Sequence, residues 1–483
     1  MTNYKVVFIS TPAIGNLVPT VEFVRHLTSR DPRLSATILI LTIDERTVVN
    51  AYIQSIAAST PPAVTNFIHL PALDPPTPDQ YQSSLGYISL YIEKQKSNIK
   101  NALLDLMSTK SFRVSGLFVD MFCTAAIDVA EELGVPCYLF FASPASFLGF
   151  MLHLPALGDK LATEFVDSPT GLIIPKDSAT ELIVPSFANP LAPPVLPTIV
   201  LKRKRDGYFW YLHHARRYRE TKGIVVNTFL ELEPFAINSV SKGGFPPVYP
   251  VGPIIDLAGP VQWHPNRGQH ESIMRWLDDQ PPSSVVLLCF GSMGSLGGPQ
   301  LREIAHGLEL AEHRFLWSIR EPPKAKLDLP GEYNVVEEVL PAGFLDRTAG
   351  IGLVCGWIPQ VSILAHQAIG GFVSHCGWNS VLESLWYGVP IATWPLYAEQ
   401  QMNAFQLVKE LGLAVEIRVD YREGSDLVLA EEFANGLTRL MDGGDEVKRK
   451  AKEMKHKSRK ALMDDGSSYR SLGSLLQELV AEI

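Results

Sequence analysis

The chain has 483 residues, 46% of them hydrophobic, and a formal charge of −9. This length exceeds what one ordinary core supports, so we expect about two to four domains, and charges scattered along the chain disfavour nucleic acid as a partner. The five cysteines form no C-x-x-C pair, which argues against a disulfide framework or a zinc site and favours a reducing cytoplasmic environment.

The hydropathy pattern gives no membrane signal. The first apolar run is short and ends at Pro12, so we interpret it as a first strand rather than a signal peptide. An uninterrupted apolar run of about 18 to 20 residues, which a spanning helix needs, is absent from the sequence. We therefore expect a soluble, cytoplasmic protein without a membrane span.

Short β-branched or aromatic runs alternate with helical patterns through residues 1–250, which is typical of βαβ units and a parallel sheet. Stretches at 72–82 and 167–197 are irregular and contain several prolines, so they are candidate walls of an acceptor pocket. The strands predicted for this first domain are Val6–Ser10, Ala36–Ile43, Phe67–Leu70, Gly116–Phe122, Cys137–Phe141 and Gly223–Phe229.

The alternation restarts after a polar, unpatterned linker at 251–270. It predicts a second domain at 271–465, followed by a final helical segment at 466–483. The predicted fold class is therefore α/β with two Rossmann-like domains. The strands predicted for the second domain are Val285–Phe290, Phe315–Ile319, Gly352–Gly356, Gly371–Ser374, Ile391–Trp394 and Ala414–Ile417.

One stretch of the second domain places a polar, glycine-bearing turn between a strand and a helix. Gly370–Ser374 is the predicted strand, residues 375–379 (HCGWN) are a tight loop, and Ser380–Tyr387 is the predicted helix. A helix that starts directly after a strand aims N–H groups and the positive end of its dipole at one point. The turn therefore predicts an anion site to which His375 adds a donor. The alternative is a well-capped helix, because Ser380-x-x-Glu383 fits a capping box.

The residues around this turn resemble the donor-binding signature of plant family 1 UDP-glycosyltransferases. The resemblance implies the GT-B architecture, in which two Rossmann-like domains face each other across a cleft and the last helix crosses back to the first domain. It also implies inverting transfer of glucose from UDP-glucose to a hydroxyl of a small plant metabolite. The matching motifs are Trp357-x-x-Gln360, His375-Cys-Gly-Trp-Asn-Ser380, Glu383 and Glu399-Gln400, with weaker matches in order at Pro12-x-x-Gly15, Val119–Cys123, Phe290–Ser292 and Gly466–Tyr469.

The resemblance assigns the UDP-sugar donor to the second domain. It implies that Trp357 stacks on uracil, that Ile358 and Gln360 hold the base and ribose, and that Glu383 takes the ribose hydroxyls. The phosphate contacts that it implies are Ser292, His375, Asn379 and Ser380, and the sugar contacts are Trp378, Glu399 and Gln400, where glutamine goes with glucose.

A metal is not expected at this site. Many sugar-nucleotide enzymes bind a metal through two aspartates separated by one residue, and this pair is absent from the sequence. The helix start and His375 must then stabilise the departing pyrophosphate. We therefore expect no metal and no cofactor besides the donor substrate.

The catalytic base of the resembling family is a histidine after the glycine of the first strand–helix loop, held by an aspartate after the fourth strand. Asp120 matches the aspartate, but Gly15 is followed by Asn16. An amide can position a hydroxyl but cannot take its proton. His26 is expected inside the helix that Pro19 starts, as a surface histidine away from the site.

Three interpretations of Asn16 remain open. It is a substitution made to trap bound substrates, a natural residue in an enzyme that uses Asp120 or water as base, or the mark of a binding protein for a UDP-sugar or small molecule that has lost catalysis. A nucleotide-sugar epimerase or hydrolase is a further alternative. The first strand lacks a G-x-G-x-x-G, which disfavours a dinucleotide-dependent oxidoreductase.

Aromatic side chains predict an apolar acceptor pocket, although core packing explains them equally well. The candidates are Tyr87, Phe122, Phe141 and Tyr397. A phenolic such as a flavonoid is the preferred acceptor class, followed by terpenoids or hormones. We expect a monomer whose partners are this acceptor and the UDP-sugar.

Overall fold

The computed structural model describes residues 3–43, 47–164, 166–168, 171–173, 181–259, 264, 267–324, 330–422 and 426–481. The irregular stretch at 167–197, the linker at 251–270 and the final segment at 466–483 lie partly outside the described residues. The chain divides into two compact units. Unit 1 comprises Met1–Pro193, Thr198–Ile255 and Lys460–Ile483, and unit 2 comprises Pro194–Pro197 and Asp256–Arg459.

Each unit is built on a parallel sheet. The strands are β1 Tyr4–Ser10, β2 Leu34–Ile40, β3 Thr65–His69, β4 Arg113–Asp120, β5 Cys137–Phe141, β6 Val166–Ser168, β7 Gly171–Ile173, β8 Gly223–Val226, β9 Val248–Pro250, β10 Val285–Cys289, β11 Arg314–Ser318, β12 Gly352–Cys355, β13 Ile369–Ser374, β14 Ile391–Thr393 and β15 Ala414–Glu416. In the described residues, the sheet of unit 1 has the strand order β3-β2-β1-β4-β5-β8-β9. The sheet of unit 2 has the order β12-β11-β10-β13-β14-β15, and β6 and β7 form a separate antiparallel pair.

Helices connect these parallel strands, as crossover connections require. Among the described residues, no helix is long and apolar enough to cross a membrane. The helices are α1 Ile14–Arg30, α2 Thr47–Ser59, α3 Ser84–Lys94, α4 Lys96–Ser108, α5 Ala126–Glu132, α6 Ala145–Glu164, α7 Thr198–Leu201, α8 Asp206–Arg217, α9 Pro234–Lys242, α10 His270–Asp278, α11 Gly298–Ala311, α12 Phe344–Arg347, α13 Gln360–Leu364, α14 Trp378–Tyr387, α15 Gln400–Phe405, α16 Ala430–Met441, α17 Asp445–Leu462 and α18 Ser467–Val480.

The sequence predicted every strand of the two parallel sheets except β9, with ends that agree to within about three residues. Strand β9 lies inside the run PPVYPVGP, and its three residues pair with β8 at the edge of the sheet, where proline is tolerated. The prediction that Pro19 starts α1 is wrong, because α1 begins at Ile14 and includes Pro19 in its second turn. This earlier start places Gly15 and Asn16 inside the first turn of the helix.

Aromatic side chains from neighbouring strands stack across the core of unit 1. The rings of Phe8 and Phe118 lie 4.6 Å apart and nearly parallel, and the ring of Tyr138 continues this stack at 5.0 Å from Phe118. The last helix, α18, packs on β4 and β9 of the same unit. Its Glu478 accepts a hydrogen bond from the Tyr138 hydroxyl at 3.0 Å.

In unit 2, the core on one face of the sheet contains the fully buried Trp317 and Trp394. All five cysteines of the chain are buried and free. The strand order of unit 2 reverses direction between β10 and β13, and that of unit 1 reverses between β1 and β4. In open α/β sheets, ligands bind beyond the carboxyl ends of the strands at such a switch point, so each unit has one expected ligand position.

Candidate active site

The switch point of unit 1 carries Asp120, the last residue of β4, which is 3% exposed. Its Oδ2 accepts hydrogen bonds from Ser10 Oγ at 3.2 Å, from the Thr11 N–H and from Asn16 Nδ2 at 3.4 Å. Its Oδ1 accepts the N–H groups of Phe122 and Cys123, both at 2.9 Å. A carboxylate offers about four acceptor sites, so these five donors already occupy them.

Asn16 is the third residue of α1 and is half-buried. The structure therefore brings Asn16 and Asp120 together, as the sequence predicted. Among the described residues, a Cβ added at the adjacent Gly15 would meet no atom within 4 Å beyond its chain neighbours and its own helix backbone. His26 is on the same helix but is half-buried rather than at the surface, and burial lowers its pKa.

The aromatic candidates of unit 1 fall into different environments. Phe141 is fully buried among Phe147 and Tyr218, whose ring centroids lie 5.9 Å away, so its assignment to an acceptor pocket is wrong and it is a core residue. Tyr87 is 8% exposed and packs edge-on against Tyr81 at 5.2 Å. Phe122 follows Asp120 and is half-buried.

A buried histidine that the sequence analysis missed lies behind Phe122. His214 of α8 is hydrogen bonded through Nδ1 to Thr124 Oγ1 at 2.7 Å and through Nε2 to Ser89 Oγ at 3.0 Å, and the Phe122 ring lies edge-on to it at 5.7 Å. Burial lowers the pKa of His214 to about 3, so the ring is neutral at physiological pH. The aromatic-rich run YFWYLHH at 208–214 was the available sequence signal.

At the switch point of unit 2, His375 follows β13 and is 6% exposed. A Cβ at Gly291 would lie 2.4 Å from its Nε2 and a Cβ at Gly377 would lie 2.5 Å from the same atom, so only glycine fits on either side of the ring. Burial lowers the pKa of His375 to about 4. Among the described residues, its buried Nδ1 has no hydrogen-bond partner, and a neutral imidazole offers one donor and one acceptor.

The helix after this loop starts earlier than predicted. Helix α14 begins at Trp378, and its N-cap is Gly377, which has no side chain that could cap the helix. The capping-box interpretation is therefore wrong, because Ser380 already lies inside the helix and its Oγ accepts a hydrogen bond from Gln360 Nε2 at 2.8 Å. The N–H groups of Trp378, Asn379 and Ser380 form the first turn of α14, at its positive end.

Glu383 lies one turn further along α14 and is joined to α13. Gln360 Nε2 donates a hydrogen bond to Glu383 Oε2 at 2.6 Å. Burial raises the pKa of Glu383 to about 7, against the opposing effect of the Gln360 hydrogen bond, and the negative charge of Asp256 adds to the rise. Gln360, Ser380 and Glu383 thus form one connected polar group.

Trp357 is half-buried, and its indole ring stacks on the imidazole of His264 with ring centroids 3.7 Å apart and planes 5° from parallel. The Trp357 N–H donates to Glu332 Oε1 at 3.0 Å, and the adjacent Ile358 is 5% exposed. Burial lowers the pKa of His264 to about 4. Sequence reasoning missed His264, which lies in the unpatterned linker, so one face of the expected uracil platform carries a neutral imidazole.

The remaining signature residues lie at the ends of β10 and β14. Ser292 is exposed and follows Gly291, whose φ of 77° lies in the left-handed region. Glu399 is the N-cap of α15 and is half-buried, as is the preceding Tyr397, which contacts the core of unit 2.

Gln400 begins α15 and is 3% exposed. Its Oε1 accepts the N–H groups of Leu396 at 2.9 Å and Tyr397 at 3.0 Å. Both partners are backbone donors, so the amide oxygen faces the protein and the NH₂ group carries the remaining hydrogen-bonding capacity of this side chain. Among the described residues, no group of three or more His, Cys, Asp or Glu side chains is arranged to hold a metal.

Comparison with known proteins identifies the family and the fold. The family model for UDP-glucoronosyl and UDP-glucosyl transferase matches residues 224–443. Similar proteins include UDP-glycosyltransferase 43 from Pueraria montana var. lobata, 57% identical over all of both chains, and UDP-glucose flavonoid 3-O-glucosyltransferase 6 from Fragaria ananassa, 50% identical over 98% of each.

A solved structure matches over nearly the full length. UGT71G1 from Medicago truncatula, complexed with UDP-glucose, aligns with a TM-score of 0.88 and 42% identity over 99% of each chain. Identity of this extent over whole chains, together with the two parallel-sheet α/β units, is far more specific than the fold alone. The chain belongs to the plant UDP-glycosyltransferases of the GT-B fold and is a glycosyltransferase.

Proposed function

We propose that this enzyme transfers glucose from UDP-glucose to a hydroxyl of a small plant phenolic, with inversion at the anomeric carbon. The observation that carries the proposal is the neutral His375 ring, held between two glycines at the start of α14 on the switch point of unit 2. Relatives support the donor and acceptor classes, since one is named a UDP-glucose flavonoid glucosyltransferase and another was solved with UDP-glucose.

The donor half of the reaction belongs to unit 2. Trp357 and Ile358 take the uracil, while Gln360 and Glu383 take the ribose hydroxyls. Ser292, His375, Asn379 and Ser380 surround the pyrophosphate, where N–H donors and the helix dipole stabilise the negative charge of departing UDP without a metal.

Sugar recognition uses Trp378, Glu399 and Gln400. The NH₂ group of Gln400 donates to hydroxyl oxygens of the hexose, because its amide oxygen is already bonded to the backbone of Leu396 and Tyr397. Glu399 supplies the opposite polarity and accepts from hydroxyl O–H groups. A pair with one donor and one carboxylate suits a neutral hexose better than a sugar acid, whose carboxylate requires a cation.

Acceptor activation belongs to unit 1. In the reaction, the acceptor oxygen forms a bond to the anomeric carbon, the bond from that carbon to the phosphate oxygen breaks with its electron pair going to UDP, and the acceptor proton leaves. Asn16 cannot take this proton, and Asp120 is already engaged by five donors among the described residues. The proton therefore goes to water, which favours phenols over alcohols as acceptors because phenols ionise more easily.

Phenolic acceptors also suit the residues near Asp120. The half-buried Phe122 offers aromatic surface, and the ring of the buried His214 next to it is neutral, so His214 brings no positive charge to this region. Terpenoid and hormone alcohols, whose hydroxyls hardly ionise at neutral pH, are the second choice for the same reason.

A turnover assay tests the proposal. Purified protein is incubated with UDP-glucose and phenols of graded acidity, and glucosides are detected by mass spectrometry. We expect β-configured glucosides from the α-linked donor, fastest with the most acidic phenols. Donor binding without any product would favour the second candidate, a UDP-sugar binding protein, which the amide at Asn16 specifically supports. Glucose release without an acceptor would indicate a hydrolase.

A further inference from the structure

The loop between β13 and α14 contains a residue in an unfavourable backbone conformation. Cys376 has a φ of 62°, in the left-handed region that residues with a Cβ seldom adopt. Its side chain is fully buried. Such a conformation persists only where the surroundings hold it, so the loop before Gly377 must be fixed by neighbouring groups.

Two buried side chains hold this residue from opposite sides. The Cys376 N–H donates to Ser374 Oγ at 3.1 Å, and the Cys376 carbonyl accepts a hydrogen bond from Asn403 Nδ2 at 2.9 Å. Ser374 is fully buried and Asn403 is 1% exposed. The C=O and N–H of one trans peptide point in opposite directions. Asn403, by fixing the Cys376 carbonyl, therefore also fixes where the Gly377 N–H points.

We propose that Asn403 is a positioning residue for the pyrophosphate of the donor. It acts through Cys376, by orienting the loop whose N–H groups and His375 ring surround the phosphates. This inference rests on the proposed function and adds to it a residue outside the Trp357–Gln400 signature. Asn403 reaches the loop from α15, the helix that begins with the sugar-binding Gln400.

A second residue with a left-handed backbone conformation lies just before the same helix. Ala398 has a φ of 55°, and the N–H groups of Leu396 and Tyr397 just before it are bonded to Gln400 Oε1. One short helix thus fixes the turn that carries the sugar contacts and, through Asn403, the loop that carries the pyrophosphate contacts. The uracil and ribose contacts lie on other elements, at Trp357, α13 and α14. Loss of Asn403 should therefore affect the phosphate part of the ligand selectively.

Gln401 provides a matched control on the same helix. It is fully buried, and its Nε2 donates at 3.1 Å to the backbone carbonyl of Tyr421, a residue that is not part of the phosphate loop. Among the described residues, the amide oxygens of both Gln401 and Asn403 have no hydrogen-bond partner. Replacing either side chain by leucine removes one buried amide donor from α15. Only Asn403→Leu frees the Cys376 carbonyl.

The test compares the affinities of UDP and uridine by calorimetry, because uridine lacks the pyrophosphate. We expect Asn403→Leu to weaken UDP binding about tenfold or more and uridine binding less than about twofold, since a misdirected loop loses phosphate donors while the nucleoside contacts remain. Gln401→Leu should leave the ratio of the two affinities unchanged. Retained uridine affinity also shows that the variant has folded.

Equal losses for UDP and uridine in Asn403→Leu, matching those of Gln401→Leu, would overturn the inference and make Asn403 a structural residue only. Ser374→Ala is a smaller change that removes the other side-chain hydrogen bond to Cys376. It should lower UDP affinity about threefold without affecting uridine affinity. An unchanged ratio in Ser374→Ala would also count against the inference. If the parent chain bound neither UDP nor uridine, the proposed function itself would fail.

Discussion

Glu383 should make donor binding release protons. In the ligand-free protein, burial raises its pKa to about 7 from an ordinary value of 4.5, so about half of the molecules carry a protonated Glu383 at pH 7 and about nine tenths at pH 6. Ribose hydroxyls that donate to this carboxylate favour its ionised form. Binding of UDP should therefore expel the proton.

The size of the pH effect on UDP binding follows from the pKa shift of Glu383. A rise of this extent disfavours the ionised form by about 3 kcal/mol. Since the folded pKa lies above the unfolded one, the associated contribution to stability is fully present below about pH 4.5 and is lost as the pH rises through about 7. If UDP returns the pKa of Glu383 to its ordinary value of 4.5, affinity should be about tenfold weaker at pH 6 than at pH 8, with about half a proton released at pH 7.

Calorimetry in buffers of different ionisation enthalpy measures the protons released. UDP titrates in this range as well, so the comparison is with Glu383→Gln, which keeps the shape and the acceptor oxygen but has no proton to lose. In the variant, the protons released by Glu383 should be absent, whereas those released by UDP should remain. Proton uptake by His375 has the opposite sign, and its low pKa confines it to more acidic solutions. Identical proton release by both forms would refute this account of Glu383.

Three further predictions concern the proposed site. Asn16→His should raise kcat about 10² to 10⁴-fold with little change in donor affinity, because an imidazole beside Asp120 can act as base. Steady-state rates with acceptors of graded pKa measure the gain, and a parent enzyme that is already fast and gains nothing would contradict the prediction. His375→Ala should weaken UDP binding by about 1.5 to 3 kcal/mol through loss of a hydrogen bond to a charged group, whereas unchanged affinity would remove His375 from the phosphate site. UDP-glucose should bind more tightly than UDP-galactose or UDP-glucuronate and should not need a divalent metal; equal affinities, or loss of binding with a chelator, would count against it.

The sequence predicted the strand ends well because they are encoded locally. Short apolar runs such as Cys137–Phe141 and Val285–Phe290 end where the buried surface of the sheet ends, and polar residues that follow parallel strands lie at one edge of the sheet. The contact between Asn16 and Asp120 follows from the adjacency of β1 and β4.

Properties that depend on distant side chains could not be predicted in this way. The hydrogen bond from Asn403 to Cys376 spans 27 residues, and that from Gln360 to Glu383 spans 23. The start of α14 at Trp378 rather than Ser380 depends on the extended backbone of Gly377, which the competing capping-box pattern concealed. Phe141 has the aromatic side chain expected of a pocket residue, and only the packing of α6 and its neighbours shows that it belongs to the core.

The surroundings of Asp120 bear directly on what Asn16 means. A carboxylate that accepts the N–H groups of Thr11, Phe122 and Cys123 is fixed in orientation by backbone alone. Its hydrogen bond from the Asn16 amide, at 3.4 Å, is the longest of its five described contacts. The site for an imidazole partner is thus intact without Asn16, so a histidine at this position would meet an aspartate that is already oriented. This preorganisation explains why one substitution should be enough to restore base catalysis, with no second change needed at Asp120.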